Sequence, residues 1–167
     1  MKKILLFLLT FVSVAAMAQV QFGYVSYSDL VKSLPEYNLV QSHLDELQVR
    51  YEDEIERSDR EFNQKYADFI EEQSKFPDNI RIKRHKELQE LMEKTMAFKD
   101  EVQHIMREAR AELMQPLYTK VNEAVMAICT AGSYHYILNT DDCAYVAINP
   151  QFGEDVTAQV KKELGID

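Results

Sequence analysis

Apolar residues recur at steps of three and four through Glu36–Gln115. In the second half of this stretch Leu88, Leu91, Thr95, Phe98, Val102, Ile105 and Ala109 are spaced 3, 4, 3, 4, 3 and 4. Such a heptad seam turns one face of a helix repeatedly toward a partner. In the first half Val40, Leu44, Leu47, Tyr51, Ile55, Phe62, Tyr66 and Phe69 do the same, with Ser58 as a polar gap. The remaining faces are charged. There is no glycine, and one proline, Pro77, stands near the middle; Pro35 and Pro116 bracket the stretch. Proline lacks an N–H and clashes with the preceding helical turn. The pattern therefore predicts two helical arms, 36–76 and 78–115, folded back at Pro77. Each would be about 55–60 Å long at about 1.5 Å per residue. The expected partner of each arm is the other, in an antiparallel coiled-coil hairpin rather than a straight dimeric rod. Phe76-Pro77-Asp78-Asn79 supplies both a breaker and cap residues for that turn.

The flanks follow a different rhythm. Val20 to Tyr27 is β-branched and aromatic and predicts a strand. Ser28 or Asp29 is the expected cap of a short helix through Leu30, Val31 and Leu34, ended by Pro35. Past Pro116 a kink is expected, then further helix with Leu117, Val121, Ala124, Val125 and Ile128 on its apolar face. Gly132 stops it. Tyr134–Asn139 is a second strand, Thr140-Asp141-Asp142 a turn, and Ala144–Ile148 a third strand halted by Asn149-Pro150. A last helix covers 157–164. The expected fold is thus α+β: a long antiparallel coiled-coil helical hairpin (36–115, tip near 75–80) projecting from a small β-rich oligomerisation body (19–35 and 116–167). So small a body buries a thin core alone, and its open strand edges invite pairing. Both features argue for an oligomer built through the body.

The first 18 residues stand apart. Lys2 and Lys3 precede an apolar run, Ile4–Val14, and then Ala15-Ala16-Met17-Ala18. This is the pattern of a signal peptide cleaved after Ala18; the run is short for a membrane span. The expected location is the periplasm.

Charge narrows the function further. The chain carries −9, and losing Lys2 and Lys3 takes it to −11. The arms hold 20 acidic and 13 basic residues, which argues against general nucleic-acid binding. His43, His85, His104 and His135 are scattered, and no His-Glu-x-x-His, glycine-rich phosphate loop or Gly-x-Ser-x-Gly turn occurs. The expectation is no enzyme, no cofactor and no metal. Cys129 and Cys143 are the two cysteines; their placement favours unpaired thiols within a protomer, with pairing between protomers open.

Two sets of residues are candidates for contact with other molecules. Lys75, Phe76, Arg81, Lys83, Arg84 and Lys86 make the tip locally basic, suited to a client or an anionic membrane surface, or else to a solvated loop. Met92, Met96 and Met106 flank the second seam. Methionine is flexible and polarizable and suits a surface that accepts many partners; the alternative is that these residues widen the packed face of the hairpin.

The chain resembles the Skp (OmpH-like) periplasmic chaperones over its whole mature length. Phe22-Gly23-Tyr24-Val25, then Leu30, Val31, Leu34 and Pro35, match the family's first strand and short helix. Leu113, Pro116, Val121, Ala124, Ile128, Gly132, Tyr136-Ile137-Leu138-Asn139, Tyr145, Pro150 and Asp155-Val156-Thr157 match its C-terminal part. The resemblance implies a homotrimer whose helical arms enclose a cavity. It implies an ATP-independent holdase that shields unfolded outer-membrane β-barrel proteins from aggregation. The best-known members are basic, whereas this chain is acidic. That departure puts in doubt capture by overall positive charge, and any lipopolysaccharide site built on Lys32, Lys120, Lys161 and Lys162. The competing reading is a structural adaptor whose hairpin docks one defined envelope partner.

Overall fold

A computed structural model describes residues 21–141, 147–149 and 151–166. The leader, Cys143 and most of the strand expected at 144–148 lie outside them. The elements are β1 (Phe22–Val25), α1 (Tyr27–Ser33), α2 (Pro35–Glu72), a 3-10 turn (Gln73–Lys75), α3 (Asp78–Ala131), β2 (Tyr136–Asn139), β3 (Gly153–Asp155) and α4 (Thr157–Glu163). This is an α+β fold of long helices and a small parallel sheet. The chain divides into two compact units, one of residues up to Tyr37 and from Pro116 onward, the other Asn38–Gln115.

In the first unit the sheet order is β2-β1-β3, and both pairings are parallel. Phe22 lies opposite Tyr136 on one side and Gly153 on the other. The third strand is therefore Gly153–Asp155, while Ala147 and Ile148 of the expected strand carry no ladder. Gly-Glu-Asp has no strand pattern of its own; it is extended because β1 pairs with it. The core is built from Leu30, Val31 and Leu34, from Leu117, Val121 and Ala124 at helical spacing, and from Val156 and Val160.

Local signals set the ends of these elements. The cap of α1 is Ser26 rather than Ser28 or Asp29: its Oγ accepts the Asp29 N–H at 3.2 Å. Pro35 opens α2, at the helical position where its missing N–H has no role to fill. The α3 helix runs through Pro116 to Ala131 in one span of 54 residues. The left-handed residue that ends it is Ser133 (φ 56°), not Gly132. Gly132 serves a different need, because a side chain there would run into the Tyr134 ring.

In the second unit α2 and α3 lie antiparallel. Gln41 Nε2 donates to Met114 Sδ at 3.9 Å, the Tyr51 and Phe98 rings are 6.4 Å apart, and Phe69 meets His85 edge-on at 6.4 Å. The α3 seam is well packed: Leu88, Thr95 and Val102 are buried, with Leu91, Phe98 and Ile105 half-buried. The α2 seam buries Val40 and Leu44 but thins toward the tip, where Tyr66 is exposed.

Candidate functional site

Among the described residues no three His, Cys, Asp or Glu side chains gather as a metal site. No described helix is long and apolar enough to cross a membrane. Cys129 is a free, half-buried thiol that donates to the Tyr134 carbonyl at 3.5 Å.

Large apolar side chains are exposed on both units. On α2, Leu39, Val49, Tyr66 and Ile70 are exposed; on α3, Ile80, Ile82, Met92 and Met96 are exposed. Of the three seam-flanking methionines, Met92 and Met96 face solvent and Met106 is half-buried. Met92, Met96 and Ile82 follow spacings of 4 and 14 residues, which place them along one flank of α3.

At the tip, α2 ends at Glu72, the 3-10 turn follows, and Asp78 begins α3. An acidic residue at a helix start suits the positive end of its dipole. The basic cluster is largely matched on its own helix. Arg81 reaches Asp78 at 2.6 Å, Arg84 reaches Glu87 at 3.0 Å, Lys83 reaches Glu87 at 3.6 Å and Lys86 reaches Glu90 at 3.8 Å. Lys75 makes no such pair among the described residues. These exposed pairs are weak and leave the cations accessible to a partner.

The same tip holds a cavity of about 460 Å³ lined by residues of α2, the turn and α3, including Phe69, Phe76 and Leu88. Sequence reading assigned Phe69 and Leu88 to the seam. Nothing in their spacing signals the space beside them.

In the first unit the polar contacts hold loops to the sheet. Asp141 accepts from Ser26 Oγ at 2.7 Å, from the Ser28 N–H at 2.6 Å and from Ser28 Oγ at 3.2 Å. Desolvation pushes its carboxyl up, but these bonds and the nearby Tyr27 N–H together hold it below the usual range. Tyr134 donates to Glu154 Oε2 at 2.6 Å, and that bond to a carboxylate, with some desolvation, raises the phenol.

Residues 21–164 match the family model described as Outer membrane protein (OmpH-like). The chain belongs to the OmpH-like family. An OmpH-like protein from Caulobacter crescentus, proposed to be an outer membrane chaperone, has the same fold. Its crystal structure superposes with a TM-score of 0.69 at 14% identity, covering 88% of this chain and 85% of that one. No curated protein matches the chain significantly. The OmpH-like match takes in β1, both long helices, the sheet and α4, so the surfaces described above all lie within it.

Proposed function

We propose that this OmpH-like protein is an ATP-independent periplasmic holdase that binds unfolded outer-membrane β-barrel proteins and prevents their aggregation. The observation that carries this reading is the row of large apolar side chains exposed on the long helices, with Ile82 at 68% and Met96 at 60%. An unfolded barrel exposes alternating apolar residues and unpaired backbone, and aggregates unless that surface is covered. Flexible methionines and branched aliphatic residues cover it through many weak contacts that demand no single client sequence. The acidic arms keep neighbouring complexes apart. Family membership and the role proposed for the Caulobacter protein support the same reading.

The proposal includes a homotrimer assembled through 19–35 and 116–167, with 36–115 as the client-holding arm. Tyr118, Met126, Tyr136, Leu138 and Phe152 are all exposed on that small unit, and a second copy is the natural cover for such a surface. The leader, with its Ala-x-Ala site, supports export. Met92, Met96 and Met106 are the proposed client contacts.

The test is light scattering on dilution of a urea-unfolded outer-membrane barrel into stoichiometric protein. Aggregation should be suppressed equally with and without ATP. Replacing Met92, Met96 and Met106 together by Ser should weaken suppression while the protein still sediments at the trimer mass. If the unaltered protein leaves aggregation untouched, the holdase reading fails.

A further inference from the structure

The hairpin is not filled at its end. The cavity of about 460 Å³ there lies in the size range of small-ligand sites. Its lining is mixed, and the apolar part is Phe69 from α2, Phe76 from the turn, and Leu88, which is 9% exposed, from α3. Phe69 leans edge-on toward His85 at 6.4 Å, and the half-buried Phe76 does not close the space.

The same lining carries charges of both signs. Asp68 and Glu72 line the cavity from α2 with Lys65, which pairs with Glu61 at 2.6 Å. Opposite them Arg84 pairs with Glu87 at 3.0 Å. With three carboxylates against two cations, the lining is close to balanced and selects strongly for neither an anion nor a cation. The charged groups do offer donors and acceptors side by side, which complements the C=O and N–H groups of an extended backbone. Two phenyl rings within such a lining favour a ring above an aliphatic chain, since aromatic pairs gain beyond their buried area.

We propose that this cavity receives an aromatic side chain of an extended segment of an unfolded polypeptide. The inference rests on the holdase reading for its partner: membrane β-barrels carry girdles of aromatic residues, and an unfolded barrel presents them unburied. It assigns the arm tip a side-chain preference, whereas the flank of α3 takes apolar surface of any shape.

The chain contains no tryptophan, so a tryptophan probe reports without background. The probe is the blocked tripeptide Gly-Trp-Gly, titrated with the whole protein and followed by its emission. A saturable blue shift is expected. It should be displaced by Gly-Phe-Gly and not by Gly-Arg-Gly or Gly-Glu-Gly. Phe69→Ser and Phe76→Ser should each weaken binding about tenfold, the equivalent of one lost ring contact. Should Phe69→Ser lose helicity, Phe76→Ser, placed in the turn, decides the matter. An unchanged emission, displacement by the charged peptides, or unaltered binding by Phe76→Ser would each overturn the site. The aggregation assay separates the two readings. Suppression without probe binding removes this site alone; probe binding without suppression supports the cavity and removes the holdase.

Discussion

Lys99 Nζ lies 2.9 Å from both carboxylate oxygens of Asp59, bridging α2 and α3. One helical turn before Lys99 is Thr95, buried in the seam at 7% exposure. Its hydroxyl turns back to the Leu91 carbonyl at 3.0 Å, and Ser58, beside Asp59, does the same to Glu54 at 3.0 Å. A polar layer thus interrupts the seam. The Leu91 carbonyl keeps its helical N–H partner without the hydroxyl, so Thr95→Val should raise stability by up to about 1 kcal/mol. Lys99→Met should cost no more than about 1 kcal/mol, because the pair is half exposed, and the loss should shrink in high salt. Urea unfolding measures both. A clear destabilisation by Thr95→Val would show that the hydroxyl itself holds the layer together.

Gly23 sits at the middle of the sheet. A Cβ there would lie 2.9 Å from Val156 Cγ1 and 3.2 Å from Ile137 Cγ1. Neither is the end of a flexible chain, and Val156 is fully buried. Gly23→Ala should therefore destabilise the first unit by about 1–3 kcal/mol through overpacking, lowering its thermal midpoint. Unchanged melting would mean that β1 and α4 yield freely.

The Asp141 carboxyl has its pKa lowered in the folded chain. Its bonds to Ser26 and Ser28 then contribute stability that is present above the ordinary aspartate pKa, about 3.9. That contribution is lost as pH falls through the lower, folded value. Asp141→Asn should make the protein less stable at neutral pH and flatten the fall in stability on acidification. Parallel acid profiles for the two proteins would contradict the assignment.

The tip cations give a further prediction. Replacing Arg81, Lys83, Arg84 and Lys86 together by Ser should weaken binding to anionic vesicles, most at low salt where screening is least. Flotation of both proteins with the vesicles measures this. Equal binding at low salt would leave the cluster a solvated loop.

The seam and the turn at Pro77 were legible because each depends on local rules. A 3-4 spacing of apolar residues and a breaker followed by Asp78 act over a few turns of chain. The sheet was legible only in part. Phe22–Val25 and Tyr136–Asn139 announce themselves by β-branched and aromatic residues. Gly153–Asp155 does not, since its extended form is imposed by a neighbour far away in sequence. Ser26 has the sequence surroundings of a strand rather than of a cap, and Gly132 carries the usual stop signal one residue before Ser133. The cavity at the tip had no pattern of its own: Phe69 and Leu88 obey the seam, and only their packing in three dimensions leaves the space open.

The position of β1 has a consequence for how the chain acquires its structure. Phe22 lies near the start of the folded chain, yet its ladder partners Tyr136 and Gly153 lie more than a hundred residues later. The strand at the centre of the sheet must wait, unpaired, for both its neighbours. The Asn38–Gln115 hairpin has no such delay, as its contacts close progressively outward from Pro77. Folding should therefore be biphasic: fast zippering of the local helices, then slower closure of the parallel sheet, where long loops must be ordered first. A chain released before Gly153 would keep its coiled coil and lack the strand that completes the sheet.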